Sequence, residues 1–228
     1  MKGKVGLYIR FVAMEVMHQI ILGETRVAVG HHSGVHQYMH EHLTDEEKAI
    51  IDPLSPRKRT EWLASRELLF KISNLPQRLG CVYDEFGKPE LKGSEKHISI
   101  SHSELWCAAM ISDVRCGVDV QIYSKTVERI AGRFLTEKDL KEAARTKNPL
   151  HHLHVLWGVK ECMYKGYGKK KLGFRENILI TEFDHTQTQG RGEINYEGLH
   201  LQYEFYYRML PEVVWVFCLE SAPIPIHY

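Results

Sequence analysis

The alternation of apolar and polar positions divides the chain into strand-like runs toward both ends and helical stretches between them. Residues 5 to 29 switch between apolar and polar runs, as in Val5-Gly6-Leu7-Tyr8-Ile9 and Arg26-Val27-Ala28-Val29, and predict two short strands. Thr44-Asp45-Glu46-Glu47 has the spacing of a capping box and starts a short helix that ends before Pro53. Ser55-Pro56 opens a longer helix, with a cap residue and then proline at the first helical position. Asn74-Leu75-Pro76 closes it. Along it Trp62, Leu69 and Phe70 can point inward, while Arg57, Lys58, Arg59 and Arg66 line another side. Such a row is usually a solvated face, although arginine is also the preferred bidentate partner of phosphate.

Phe86-Gly87-Lys88-Pro89 is a turn that fixes one lysine on constrained backbone. The run from His97 to Ser103 is a strand with a hydroxyl- and imidazole-rich end. Leu105 to Ile111 and Cys116 to Ile122 follow as two strands joined by a turn. In the second, Val118, Val120 and Ile122 share one face and Gly117, Asp119 and Gln121 the other. Ser124 is expected to cap a helix carrying Val127, Ile130 and Ala131, Thr136 another, and a third begins near His151. Three strands end the pattern: Ile178 to Phe183, Leu199 to Tyr207 and Val213 to Leu219, a sheet built for core. The order of strands and helices from about Gly117 dimly repeats that of the first half, without a residue-level repeat. The expected fold is α+β.

Composition narrows the classes. A chain of 228 residues suffices for one large domain or two small ones. With 30 basic and 29 acidic side chains and a net charge of +1, a bulk electrostatic nucleic-acid binder is disfavoured. The cysteines (Cys81, Cys107, Cys116, Cys162 and Cys218) form no C-x-x-C, so neither a disulfide framework nor a cysteine zinc site is indicated. The first ten residues hold no apolar run long enough for a signal peptide or membrane span, so the chain reads as soluble and cytoplasmic. His32, His36 and His40 would align on a helix as a metal face, but Gly30, Ser33 and Gly34 disfavour a rigid helix and favour a polar connection.

Two places stand out chemically. Asp119 sits among β-branched residues, where a lone carboxylate is costly unless paired or metal-bound. Trp157, Glu161 and Lys165 fall four apart on one helical stripe, and the tryptophan suggests that this stripe faces protein. The plainer reading is an amphipathic helix with a snorkelling lysine face. Asp119 and Glu161 together can supply carboxylate oxygens to one hard cation, and Lys88, Lys165 and the arginine row can meet phosphate charge.

Gly117-Val118-Asp119-Val120, followed about forty residues later by Trp157-Gly158-Val159-Lys160-Glu161-Cys162-Met163-Tyr164-Lys165, resembles the paired signature of the 4′-phosphopantetheinyl transferases. Phe86 to Pro89, Ile98 to Ser103 and the basic stretch Lys58 to Arg66 are similar to that family in the same order. The length is similar to the long, surfactin-synthetase-activating branch. The resemblance implies two similar α/β halves related by a pseudo-two-fold axis, residues 1–115 and 116–228, each with a small antiparallel sheet packed on helices. It implies a monomer, a pseudodimer in one chain, that uses coenzyme A and Mg²⁺ to modify a serine of an apo acyl carrier protein, with no nucleic-acid or membrane partner. Carried over, Asp119, Glu161 and Lys165 are catalytic, with Asp119 and Glu161 holding the metal. Arg59, Arg66, Lys88, Ser101, His102 and Lys160 are the coenzyme A contacts, His102 facing the 3′-phosphate.

Gln121 departs from the pattern, because many long-branch members carry a third acid there. Its amide can still present oxygen to the metal or hold a water ligand, so it is expected as a weaker third ligand. Other classes compete with this reading. A different phosphate enzyme would want G-x-x-x-x-G-K-[ST], and a serine hydrolase G-x-S-x-G; both are absent. A carrier-protein or coenzyme A binding module that lost turnover has only Gln121 in its favour.

Overall fold

The computed structural model describes residues 14–32, 41–169, 171–184 and 186–221. The first half of this chain begins with strands β1 (Met14–Leu22) and β2 (Thr25–His32) and helices α1 (Asp45–Ile51) and α2 (Pro56–Ser73). Strands β3 (Cys81–Tyr83), β4 (Pro89–Leu91), β5 (His97–Ser103) and β6 (Trp106–Ser112) complete it. The second half runs β7 (Cys116–Ile122), α3 (Thr126–Phe134), α4 (Glu137–Ala144), α5 (Pro149–Tyr167), β8 (Ile178–Asp184), β9 (Gln189–Tyr196), β10 (Leu199–Met209) and β11 (Val213–Ser221). The fold is α+β, as expected.

Two antiparallel sheets result, ordered β1-β2-β6-β5-β4-β3 and β7-β11-β10-β9-β8. Set β1 aside and the two orders coincide. In each half one strand leads into helices, a long helix closes them, and a four-strand meander returns so that its last strand pairs with the first. The dim repeat in the sequence is therefore a repeat of topology, with β1 as an added edge strand. Inward-facing residues of β2 and β6 (Val27, Val29, Ala108, Met110) pack with those of β7 and β11 (Val118, Val120, Trp215, Phe217) in one buried cluster that joins the sheets. Each such valine, methionine or phenylalanine side chain contributes about 1.5–3 kcal/mol on burial.

Helix α5 is apolar on most of its circumference because it is covered twice. Val155, Val159, Cys162 and Met163 pack on the second sheet, while Leu153 and Leu156 join residues of α3 and α4. Close approach to β7 and β11 needs glycine: a Cβ on Gly117 would overlap the carbonyl of Cys162, and one on Gly158 would lie 2.6 Å from Val216 Cγ2 of β11. This contact fixes the height of α5 over β7, and with it the two chemical anomalies.

The caps hold in detail. Thr44 with Glu47, and Thr136 with Asp139, form complete capping boxes, and Ser55 caps α2 ahead of Pro56. Ser124 differs: α3 starts at Thr126 with no side-chain cap, and the Ser124 hydroxyl accepts from Thr126 N in the preceding turn. His32 lies in β2 and not in a helix, so it cannot align with His36 and His40, which fall outside the described residues. The strand expected at Val5 to Ile9 also falls outside them, whereas β1 was missed, as was β9. Among the described residues no helix is long and apolar enough to cross a membrane.

Candidate active site between the two sheets

β7 is the edge strand of its sheet, so one side of its backbone needs partners from elsewhere. Serines of β5 supply them. Ser99 Oγ accepts from Val118 N at 3.0 Å and Ser103 Oγ from Ile122 N at 3.2 Å. Period-two spacing places Ser101 on the same face, and its hydroxyl donates to Asp119 Oδ1 at 2.8 Å. The Ser-x-Ser-x-Ser pattern is thus a row of stitches between the sheets, and its middle stitch grips the carboxylate.

Asp119 is buried and held by three side chains. Lys165 Nζ lies 2.8 Å from Oδ1 and also donates to the Val118 carbonyl at 3.0 Å, and Gln121 Nε2 donates to Oδ2 at 3.1 Å. Burial alone would lower the Lys165 pKa; the adjacent Asp119 carboxylate reverses this and holds it above the ordinary lysine value. A buried ion pair persists only when further hydrogen bonds support it, and here Ser101, Gln121 and the Val118 carbonyl supply them.

Glu161 stands one helical turn before Lys165 on the same stripe. Among the described residues no hydrogen bond or ion pair reaches its carboxyl, and burial pushes its pKa up to about 7, with Lys165 pulling down and Asp119 adding to the rise. Two neighbouring carboxyl groups, one lacking a partner, fit a hard cation. Among the described residues no three His, Cys, Asp or Glu side chains gather around a metal position. An ion here would be held by two acids and would draw its other ligands from water or substrate. Trp157 completes the stripe by packing on Phe134 and Phe174, with ring centroids 4.7 and 5.7 Å away, so this face does turn into the protein.

Lys88 reaches the same region from the first half. Asp84 Oδ1 accepts from the backbone N–H groups of Phe86 and Lys88, and Gly87 takes φ +86°, which together shape the turn. Lys88 Nζ then donates to the Gly166 carbonyl at 3.0 Å, and burial lowers its pKa. A cleft of about 240 Å³ opens here, lined by Phe86, Lys88, Ile98, Ile100, Tyr164 and Lys165 among others, so both halves contribute to it.

The arginine row behaves differently from expectation. Its centre is a buried acid, Glu61, with Arg57 Nε 2.9 Å from Oε1, and Lys58 Nζ 3.2 Å and His102 Nδ1 3.5 Å from Oε2. His102 keeps 37% of its side chain exposed; partial burial lowers its pKa while Glu61 opposes the shift. Arg59 turns to the carbonyl of Asp52. Arg66 is buried, stacked 4.3 Å over the Trp62 ring, and donates to Tyr83 OH at 2.6 Å. Neither arginine is offered to the cleft.

Lys160 is a correction. Its side chain is fully buried on the flank of α5 away from Glu161, donating to the carbonyls of Phe174 (2.7 Å) and Ile178 (2.5 Å). Burial lowers its pKa to about 8. It ties the segment after α5 to the helix, and its full burial keeps it from the surface that a cofactor would touch. Gln121 also differs from expectation: Nε2 lies 3.1 Å from Asp119 Oδ2, and Oε1 lies 2.9 Å from His154 Nδ1. Sequence reading missed His154, Glu61 and the stitching role of Ser99 and Ser103. His154 and Gln121 are 33 positions apart, and no local pattern links them.

Residues 115–218 match the family model of the 4′-phosphopantetheinyl transferase superfamily, a span that contains Asp119, Gln121, Glu161 and Lys165. The chain is 28% identical over 130 residues to 4′-phosphopantetheinyl transferase gsp of Aneurinibacillus migulanus, covering 56% of this chain and 53% of that protein. It thus spans about half the length of the curated relative it matches. Among solved structures, the holo-[acyl-carrier-protein] synthase of Neisseria meningitidis aligns with 47% of this chain and 97% of its own, at 23% identity and a TM-score of 0.37. The part of the chain that is similar to the 4′-phosphopantetheinyl transferase superfamily, residues 115–218, is thus the half that carries both acids.

Proposed function

We propose that this chain transfers the 4′-phosphopantetheine arm of coenzyme A to a serine of an apo acyl or peptidyl carrier protein, releasing adenosine 3′,5′-bisphosphate. The observation that carries this reading is the buried Asp119–Lys165 pair with unpaired Glu161 one turn away, beside a cleft that also holds Lys88. Phosphoryl-type transfer asks mainly for positioning and charge neutralisation, and this set supplies both.

In the reaction, the carrier serine oxygen bonds to the β-phosphorus of coenzyme A and the bond to the bridging oxygen breaks, leaving adenosine 3′,5′-bisphosphate. Mg²⁺, held by Asp119 and Glu161, would neutralise the diphosphate. Glu161 accepts the serine proton, directly or through water, and Lys165 stabilises the departing phosphate. Lys88 meets the diphosphate from the turn, and His102 meets the 3′-phosphate. Ser101 takes a different role from direct coenzyme A contact: it holds the carboxylate of Asp119. The nucleophile arrives on the partner, so the chain needs no activated serine of its own.

Carrier domains are acidic around their serine, so the exposed lysines beside the cleft, Lys169 and Lys171, are the docking rim in this reading. The repeated topology within one chain supports a monomer as the working unit in this reading. The test is incubation of the full chain with coenzyme A, Mg²⁺ and several apo carriers. A mass gain of one phosphopantetheine on a carrier supports the reading; carrier binding without any mass gain overturns it.

A further inference from the structure

Gln121 stands where the family's third acid is often found, and its amide is engaged at every donor. Nε2 lies 3.1 Å from Asp119 Oδ2 and 3.3 Å from the His154 carbonyl, while Oε1 lies 2.9 Å from His154 Nδ1. Which end of the amide faces the aspartate depends on where the His154 proton sits. The backbone decides this. The N–H of Ser124, whose direction is fixed by the peptide plane, points at His154 Nε2 from 2.9 Å. Nε2 must therefore offer a lone pair, although the Ser124 carbonyl also lies 3.1 Å from it. The proton is then on Nδ1, and the atom opposite it must be the amide oxygen. The imidazole is 2% exposed and packed edge-on against Tyr123, with centroids 5.4 Å apart, so the ring cannot turn over without repacking.

We infer that His154 is a positioning residue that locks the Gln121 amide with its nitrogen toward Asp119, so that Gln121 serves as a neutral strut and not as a metal ligand. The inference rests on the metal-assisted transfer reading for its use but not for its geometry. With Ser101 and Lys165 on Oδ1 and Gln121 on Oδ2, Asp119 has about one of its four lone-pair directions left to offer a cation. The cation then depends on Asp119 and Glu161, and His154 acts on it through two hydrogen bonds.

The test uses the full chain without coenzyme A or carrier. Long-range ¹⁵N–¹H NMR of the histidines should show a neutral Nδ1–H tautomer for His154; an Nε2–H tautomer overturns the lock. In parallel, Mn²⁺ binding is titrated by electron paramagnetic resonance in wild type, His154→Leu and His154→Asn. Loss of an outer-shell partner costs about 10-fold or more in metal affinity, and that weakening is expected in His154→Leu. Asparagine places an amide N–H close to the position of Nδ1, so His154→Asn should recover most of the binding. Wild-type Mn²⁺ affinity in a folded His154→Leu, or equal weakening in both variants, overturns the positioning role. If the tautomer and the Mn²⁺ pattern hold but no carrier gains mass, the transferase reading fails and the strut stands. If transfer occurs while Mn²⁺ binding ignores His154, the strut alone fails.

Discussion

At the residue scale the site depends on which polar groups are committed and which are free. Asp119 is gripped from three sides, Glu161 lacks a partner among the described residues, and Lys160 is buried against two carbonyls. Asp119→Ala and Glu161→Ala should each abolish carrier modification while leaving the circular-dichroism spectrum folded; turnover near wild type in either would remove the site assignment. Lys160→Met should behave in the opposite way. It leaves two carbonyls unpaired, at about 1–3 kcal/mol each, so the melting midpoint should fall while KM for coenzyme A stays put. A raised KM without loss of stability would return Lys160 to the coenzyme A contacts. Gln121→Glu adds a third acid beside Asp119 and should tighten Mn²⁺ binding, since His154 Nδ1–H can still hold one of its oxygens. Unchanged Mn²⁺ binding would show that this position has no influence on the ion.

His102 makes a prediction with a pH sign. Partial burial lowers its pKa from the ordinary 6.5, so the imidazole is largely neutral in the free chain near pH 7. A bound 3′-phosphate would favour the charged ring and raise that pKa, so binding takes up a proton and tightens as pH falls toward the free-chain value. Coenzyme A affinity measured by calorimetry should therefore rise from pH 8 to pH 6, and 3′-dephospho-coenzyme A should show a flatter profile. Equal profiles for the two ligands would detach His102 from the 3′-phosphate.

At the element scale, legibility followed how local the signal was. Capping boxes at Thr44 and Thr136 and the proline start at Pro56 are satisfied within one helical turn, so the sequence alone displays them. β7 was readable because Val118 and Val120 alternate with Gly117, Asp119 and Gln121, and the two faces meet different surroundings. β1 was not readable: most of it is exposed, its outer side has no strand partner among the described residues, and a bulge between Val16 and His18 breaks its period. Gly190 and Gly192 likewise erase the alternation of β9. The serine stitches are long-range in sequence, 19 positions apart, and so were read only as a polar strand end. Replacing Ser99 and Ser103 together by alanine strands two backbone N–H groups of an edge strand and should cost about 2–6 kcal/mol, at 1–3 each. Urea denaturation checks this, and a loss below ~1 kcal/mol would mean that water replaces the hydroxyls without penalty.

At the scale of the whole molecule, the same order of strand, helices and returning meander occurs twice, and the two sheets meet across β2, β6, β7 and β11. The second half brings Asp119, Glu161 and Lys165; the first brings Ser101, Lys88 and His102 to the junction. The acids were legible because a buried aspartate and a helical Trp–Glu–Lys stripe are anomalies in any sequence. What surrounds them was not, because Arg66, Lys160 and Gln121 are settled by contacts made far along the chain: Tyr83 for the arginine, the carbonyls beyond α5 for the lysine, His154 for the amide. The most direct measurement is the intact mass of an apo carrier protein after incubation with coenzyme A and either wild type or Glu161→Gln, with Mg²⁺ or with chelator. The account predicts a gain of one phosphopantetheine only for wild type with Mg²⁺. Equal gain for Glu161→Gln, or for wild type in chelator, would contradict it.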